Sequence, residues 1–141
     1  MKHLAIFYSS RIRKAADKFI ENELKKSGLD GIVPSHGDII AYLLLNGKTP
    51  MQEIAKKVDR TKATTTVLID KLVKLGLARR NKDAKDSRIT LVELTELGYS
   101  YNDKFEALAL NLNEKVYKGF SDDEAKLLDS LLQRVKRNLE E

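Results

Sequence analysis

Lysines and arginines crowd between Lys56 and Arg88, where 11 of them stand against 4 Asp/Glu, a net of +7. The rest of the chain carries a net of −2, so the whole positive excess lies in 33 residues. Cations grouped in this way bind closely spaced phosphates by releasing counterions, a salt-dependent chemistry that selects a polyanion but no sequence. Selection needs short side chains that reach base edges in a major groove. Thr61, Thr64 and Thr66, with Lys62 beside them, are the short polar candidates, and Val67 and Lys71 fall on the same outward side. Further on, Lys82, Lys85 and Arg88 form a second cationic group, with Arg79 and Arg80 at its base. Asp86 is the odd acid there. Two residues from Arg88, it can hold that guanidinium in one pose.

These groups need elements to present them, and the hydrophobic spacing predicts which. Tyr8, Ile12, Ala15 and Phe19 recur at four, three and four residues, one stripe of a helix from about His3 to Lys26 that Ser27-Gly28 ends. Ser35 and Asp38 have capping-box spacing before Ile39, Ile40, Leu43 and Leu44, a second helix closed by Asn46-Gly47. Thr49-Pro50-Met51-Gln52 predicts an N-cap threonine and a first-turn proline for a short third helix with Ile54 and Ala55 inward. After the break at Val58-Asp59-Arg60, Thr61 caps a fourth helix that buries Thr65, Leu68, Ile69 and Leu72 and ends at Gly76. Two such helices joined by about four residues outline a helix-turn-helix. Leu77–Arg80 and Ile89–Leu94 read as short strands around a polar hairpin loop, a wing. A helical stripe returns with Tyr101, Phe105, Leu108, Leu112 and Val116; Gly119 interrupts it. Ser121-Asp122-Asp123-Glu124 then boxes the start of a last helix lined by Leu128, Leu131, Leu132, Val135 and Leu139.

The fold class expected is therefore mainly α with a small β-hairpin wing, read as a single domain over residues 1–141. Residues 1–27 form an N-terminal dimerisation helix, 35–94 the winged helix-turn-helix region and 95–141 C-terminal dimerisation helices. The long outer helices carry more apolar surface than the middle can cover, which predicts a two-fold homodimer.

Composition closes other routes. Without cysteine there is no disulfide, thiolate nucleophile, zinc ribbon or thiol redox chemistry. No apolar run approaches the roughly 18 residues of a bilayer span, and Met1-Lys2-His3 opens no signal peptide, so a cytoplasmic protein without membrane contact is expected. No glycine-rich phosphate loop, Ser/His/Asp set or apolar carboxylate pair is present. No catalytic residue, cofactor or metal site is expected. His36 reads as a capping or surface histidine, since His3 is the only other imidazole.

Asp86-Ser87-Arg88, then Leu94-Thr95-Glu96-Leu97-Gly98, behind a helix ending Asp70-Lys71-Leu72-Val73-Lys74-Leu75-Gly76-Leu77, resembles the MarR family of winged helix-turn-helix transcriptional regulators over essentially the whole chain. The resemblance implies a triangular homodimer joined through its terminal helices on pseudo-palindromic promoter sites of double-stranded DNA. It places Thr66 where relatives contact the backbone and Arg88 at their wing arginine. It also implies a small phenolic or aromatic effector in a cleft for which Phe19, Ser35, His36 and Tyr42 are the candidates. Two positions depart from the pattern: Val67 stands where relatives often carry a basic residue, and Ser87 where they often carry arginine. Minor-groove insertion then falls to Lys85 or Lys82, or is absent. The expected function is a sequence-specific repressor that occludes a promoter; the alternative is a non-specific architectural nucleic-acid binder.

Overall fold

The computed structural model describes residues 2–141. In order they form α1 (Ala5–Lys26), α2 (Pro34–Asn46), β1 (Thr49–Pro50), α3 (Met51–Lys57), α4 (Lys62–Lys74), β2 (Ala78–Lys82), β3 (Thr90–Leu94), α5 (Glu96–Ser100), α6 (Asn102–Val116) and α7 (Asp122–Glu140). Two compact units result, residues up to Leu108 and residues from Ala109 onward. The fold is mainly α with a small antiparallel sheet, as the sequence pattern requires.

In the first unit, Ile39, Ile40 and Leu43 of α2, Ile54 of α3, and Leu68, Ile69 and Leu72 of α4 meet Leu77, Val92 and Leu94 of the hairpin in one core. Leu24 of α1 and Leu29 and Ile32 of the following loop close it. Burial of each such side chain contributes about 1.5–3 kcal/mol, so this core, more than helix propensity, sets the angle at which α4 is displayed. The four residues of α4 expected inside, Thr65, Leu68, Ile69 and Leu72, are its buried ones.

Both ends of α4 are fixed locally. The Thr61 hydroxyl accepts the Thr64 N–H at 3.1 Å. At the other end Leu75 is the C-cap and Gly76 adopts φ +74°, so that Leu77 N donates to Leu72 O at 2.9 Å and Gly76 N to Val73 O at 3.0 Å.

Three local expectations are corrected. The second helix starts at Pro34, a favourable first-turn proline, with Val33 as N-cap; Ser35 and Asp38 form no capping box there. His36 takes the role instead, its Nδ1 accepting Val33 N–H at 2.9 Å. Thr49 is not an N-cap. It lies in β1 opposite Val92, with Pro50 opposite Leu91, and its hydroxyl donates to Gly47 O at 2.8 Å. Pairing with an exposed strand edge satisfies more backbone groups than an extra helical turn, and a two-residue strand leaves no period to read. The sheet order is β1-β3-β2. The hairpin ladder runs from Ala78↔Leu94 to Lys82↔Thr90, so Asn81 and Lys82, expected in the loop, belong to the sheet. The chain is helical again from Glu96, as expected, in α5, whose C-cap Tyr101 stands just before α6 begins.

In the second unit Gly119, at φ +84°, turns the chain into α7. Ser121 and Glu124 form the expected capping box, at 3.1 and 2.9 Å. Tyr117 donates to the Asp129 carboxylate and packs edge-on to Phe120 across the same turn. On α7 the apolar row Leu131, Leu132, Val135 and Leu139 is exposed, and on α1 so are Tyr8 and Ile12.

Candidate nucleic-acid interface

Thr61, Lys62, Thr64 and Val67 lie on the exposed side of α4, with Val67 66% accessible and Thr66 half-buried beside them. All three hydroxyls have local partners. Thr61 Oγ1 donates to Thr64 Oγ1 at 3.0 Å, and Thr66 Oγ1 donates to Lys62 O at 2.9 Å while lying 3.5 Å from the Met51 sulfur. What this face offers outward is thus largely methyl surface flanked by Lys62. Lys71 is placed differently from the other candidates. It is half-buried, and a Cβ built on Gly31 would lie 3.0 Å from its Nζ, so the ammonium sits by the loop before α2.

The wing loop is stapled by its own groups. Asp83 N donates to Ile89 O and Ile89 N to Asp86 O, both at 3.0 Å. Asp86 Oδ1 accepts Arg88 N at 3.1 Å and Arg88 Nε at 3.0 Å, while Oδ2 accepts Nη2 at 3.1 Å. This fork holds the Asp86 carboxyl below its usual pKa and leaves the guanidinium 89% exposed. Lys82 and Lys85 are exposed beside it. Lys62 and Arg88 line one hollow of about 260 Å³ with Pro50, Met51, Gln52, Ile89 and Thr90. The turn after β1, the first turn of α4 and the base of the wing therefore bring two cations from distant parts of the sequence together.

Arg79 and Arg80 are each paired with a carboxylate instead. Arg79 Nε donates to Glu93 Oε1 at 2.9 Å, and Asn81 Nδ2 donates to the same oxygen at 3.1 Å. Lys48 Nζ lies 3.9 Å from it, and this set holds Glu93 below its usual pKa, the Arg79 hydrogen bond first. Arg80 pairs with Asp70 and donates to Thr66 O at 3.4 Å. Glu93 and Asp70 were not among the sequence candidates. The cross-strand pairing Arg79↔Glu93 was the available signal for one of them, while the link from β2 to α4 has no local signature.

Tyr42 lines a groove of about 450 Å³ with Asp38, Ala41, Leu45, Lys57, Val58 and Asp59, and Phe19, Ser35 and His36 are not among its walls. Partial burial pushes the Tyr42 phenol above its usual pKa, with Glu53, its hydrogen-bond partner, acting in the same direction. The Ser35 hydroxyl accepts from Arg60 Nη2 at 3.4 Å. His36 faces the core and is 5% exposed. Burial lowers its pKa and the Lys71 charge adds to this, against an opposing contribution from the Val33 backbone.

That lowering has a measurable sign. The unfolded chain protonates His36 near the ordinary value of about 6.5 while the folded chain resists, so its contribution is present above that pH and lost as pH falls through the folded value. We expect the urea midpoint to drop between pH 7.5 and 5.5, with a slope of at most about 1.4 kcal/mol per pH unit. His36→Gln, which keeps an acceptor for Val33 N–H, should flatten this dependence. Equal wild-type midpoints at the two pH values would rule the effect out.

A helix-turn-helix with its second helix exposed, followed by a hairpin wing whose cation converges on that helix, defines a winged helix-turn-helix DNA-binding protein. The sequence profile of the MarR family matches residues 27–89. The HTH-type transcriptional regulator MhqR of Bacillus subtilis is 27% identical over 92% of this chain and 87% of its own length. The HTH-type transcriptional repressor IacR of Pseudomonas putida is 25% identical over 95% of this chain and 78% of its own. A crystal structure of a MarR variant from E. coli complexed with operator DNA shares the fold with a TM-score of 0.81 and 21% identity, covering 94% of this chain and 92% of that one. Residues 27–89 thus carry the profile of the MarR family, and the relatives matched along the rest of the chain are named transcriptional regulators.

Proposed function

We propose that this chain is a homodimeric repressor that binds a pseudo-palindromic operator, with residues 35–94 as its DNA-binding region and residues 1–27 and 95–141 as its dimerisation helices. The observation that carries this reading is the shared hollow of Lys62 and Arg88, where recognition helix and wing present cations together. In this reading Lys62, Lys82, Lys85 and Arg88 hold phosphates, with Asp86 orienting Arg88. Thr61, Thr64, Thr66 and Val67 meet base edges largely through methyl groups, which fit the thymine methyl. Lys71 acts from behind, through its place beside Gly31 and His36. The exposed rows on α1 and α7 support a second copy as their cover, since apolar faces of this kind mark association surfaces. Repression follows from occlusion of a promoter, and the name of the relative IacR supports that sign of regulation. A small aromatic or phenolic effector lowers affinity by favouring a dimer whose half-site spacing no longer matches about one helical turn.

The test is duplex binding against salt together with selection from random duplexes. Four phosphate-holding cations on each of two protomers give a log–log slope of about −7. An inverted repeat should emerge from selection. A slope near zero excludes duplex binding, while a steep slope without an inverted repeat would favour a non-specific architectural binder.

A further inference from the structure

Arg80 stands on β2 directly opposite Val92, two residues before the strand ends at Lys82 and the wing loop begins. Its guanidinium leaves the sheet and meets α4 at two places, the Asp70 carboxylate and the Thr66 carbonyl oxygen at 3.4 Å. Thr66 and Asp70 are four residues apart, one helical turn, on the flank of α4 next to Val67. Thr66 is itself fastened to Lys62 O and packed on Met51. One planar group thus grips the recognition helix at successive turns while its backbone belongs to the wing ladder. Both contacts are made by the one nitrogen Nη2, so a single point of the wing ladder is tied to two successive turns of α4.

We propose that Arg80 is a positioning residue for DNA recognition: it fixes the angle between recognition helix and wing so that both engage one half-site together. The proposal rests on the operator-binding reading above. Its rival is simple charge cancellation, because Asp70 is half-exposed and its carboxylate would repel phosphates. Removing the carboxylate together with the guanidinium separates the two.

Arg80→Gln, Asp70→Asn/Arg80→Gln and Arg80→Lys are compared with the wild-type chain by fluorescence anisotropy on the selected operator and on a scrambled duplex of equal length. Amide exchange across residues 83–89 is followed without DNA. Positioning predicts that Arg80→Gln and the double variant both lose tenfold or more on the operator, change less than threefold on the scrambled duplex, and exchange faster in the wing. Arg80→Lys, which keeps the charge but not the planar group that sets Nη2 between Thr66 and Asp70, should remain impaired on the operator and serves if Arg80→Gln does not fold. Recovery of operator affinity in the double variant, equal losses on both duplexes, or an unimpaired Arg80→Lys each overturn the proposal. A wild-type chain that binds both duplexes equally defeats the operator reading itself, a pattern distinct from any failure confined to the variants.

Discussion

Gly98→Ala is expected to lower stability by about 3 kcal/mol and the thermal midpoint by roughly 10 °C. A Cβ at Gly98 would stand 2.2 Å from the backbone oxygen of Leu77, with Leu94 Cβ at 3.2 Å. That oxygen cannot retreat, because Leu77 N is committed to the cap of α4 and Leu77 O accepts Thr95 N at 3.0 Å. Thr95 in turn caps α5 by accepting Gly98 N at 3.1 Å, and its hydroxyl donates to Gly76 O. The end of the recognition helix, the exit of the wing and the start of α5 therefore share one knot of backbone, and a single methyl enters it at the tightest point. Gly37→Ala is the control: it lies in α2 with nothing within 4 Å of the added carbon, and alanine favours helix there. Denaturant melts of the two variants should move in opposite directions; a Gly98→Ala protein within 0.5 kcal/mol of wild type would remove the argument.

Arg88→Ala is expected to weaken operator binding about 30-fold, more than loss of one exposed phosphate contact alone would bring. Its removal deletes a cation and also uncovers the Asp86 carboxylate, which the guanidinium covers with two hydrogen bonds, on the surface proposed to meet phosphate. Arg88→Ala/Asp86→Asn should therefore bind several-fold better than Arg88→Ala alone. Titration of each variant at fixed salt checks this. A double variant no better than the single would mean that Asp86 orients Arg88 without shaping the field.

The parts of this fold that could be read in advance are those written in repeating or local signals. Thr61 and Gly76 bracket α4 because an N-cap hydroxyl and a left-handed glycine each act within a few residues, and the buried set Thr65, Leu68, Ile69 and Leu72 follows from period alone. The Asp86–Arg88 fork was legible for the same reason, since both partners sit in one turn. Where reading went astray, a distant partner decided. Thr49 looks like an N-cap until Val92 offers it a strand edge, and Ser35 and Asp38 look like a capping box until Pro34 moves the helix start and leaves the capping to His36, one of the two roles the sequence allowed it. Arg79 and Arg80 stand at the base of the wing as their sequence position implies, but their partners Glu93 and Asp70 lie far along the chain and were not read from it. Lys71 shares its side of α4 with Thr64 but is drawn toward Gly31 by a loop that carries no periodic pattern.

The open apolar rows on α1 and α7 make dilution a variable in their own right. A protomer whose Leu132 and Ile12 face water gains stability from every copy that covers them, so the melting temperature of a dimer rises with protein concentration. In the proposed homodimer, separation of the two copies also divides the operator-binding unit in half. Each subunit then meets its half-site alone, without the high effective concentration that a bound neighbour confers. Promoter occupancy should accordingly fall more steeply than in proportion to copy number, which ties the sharpness of the genetic response to a few leucines far from any base pair.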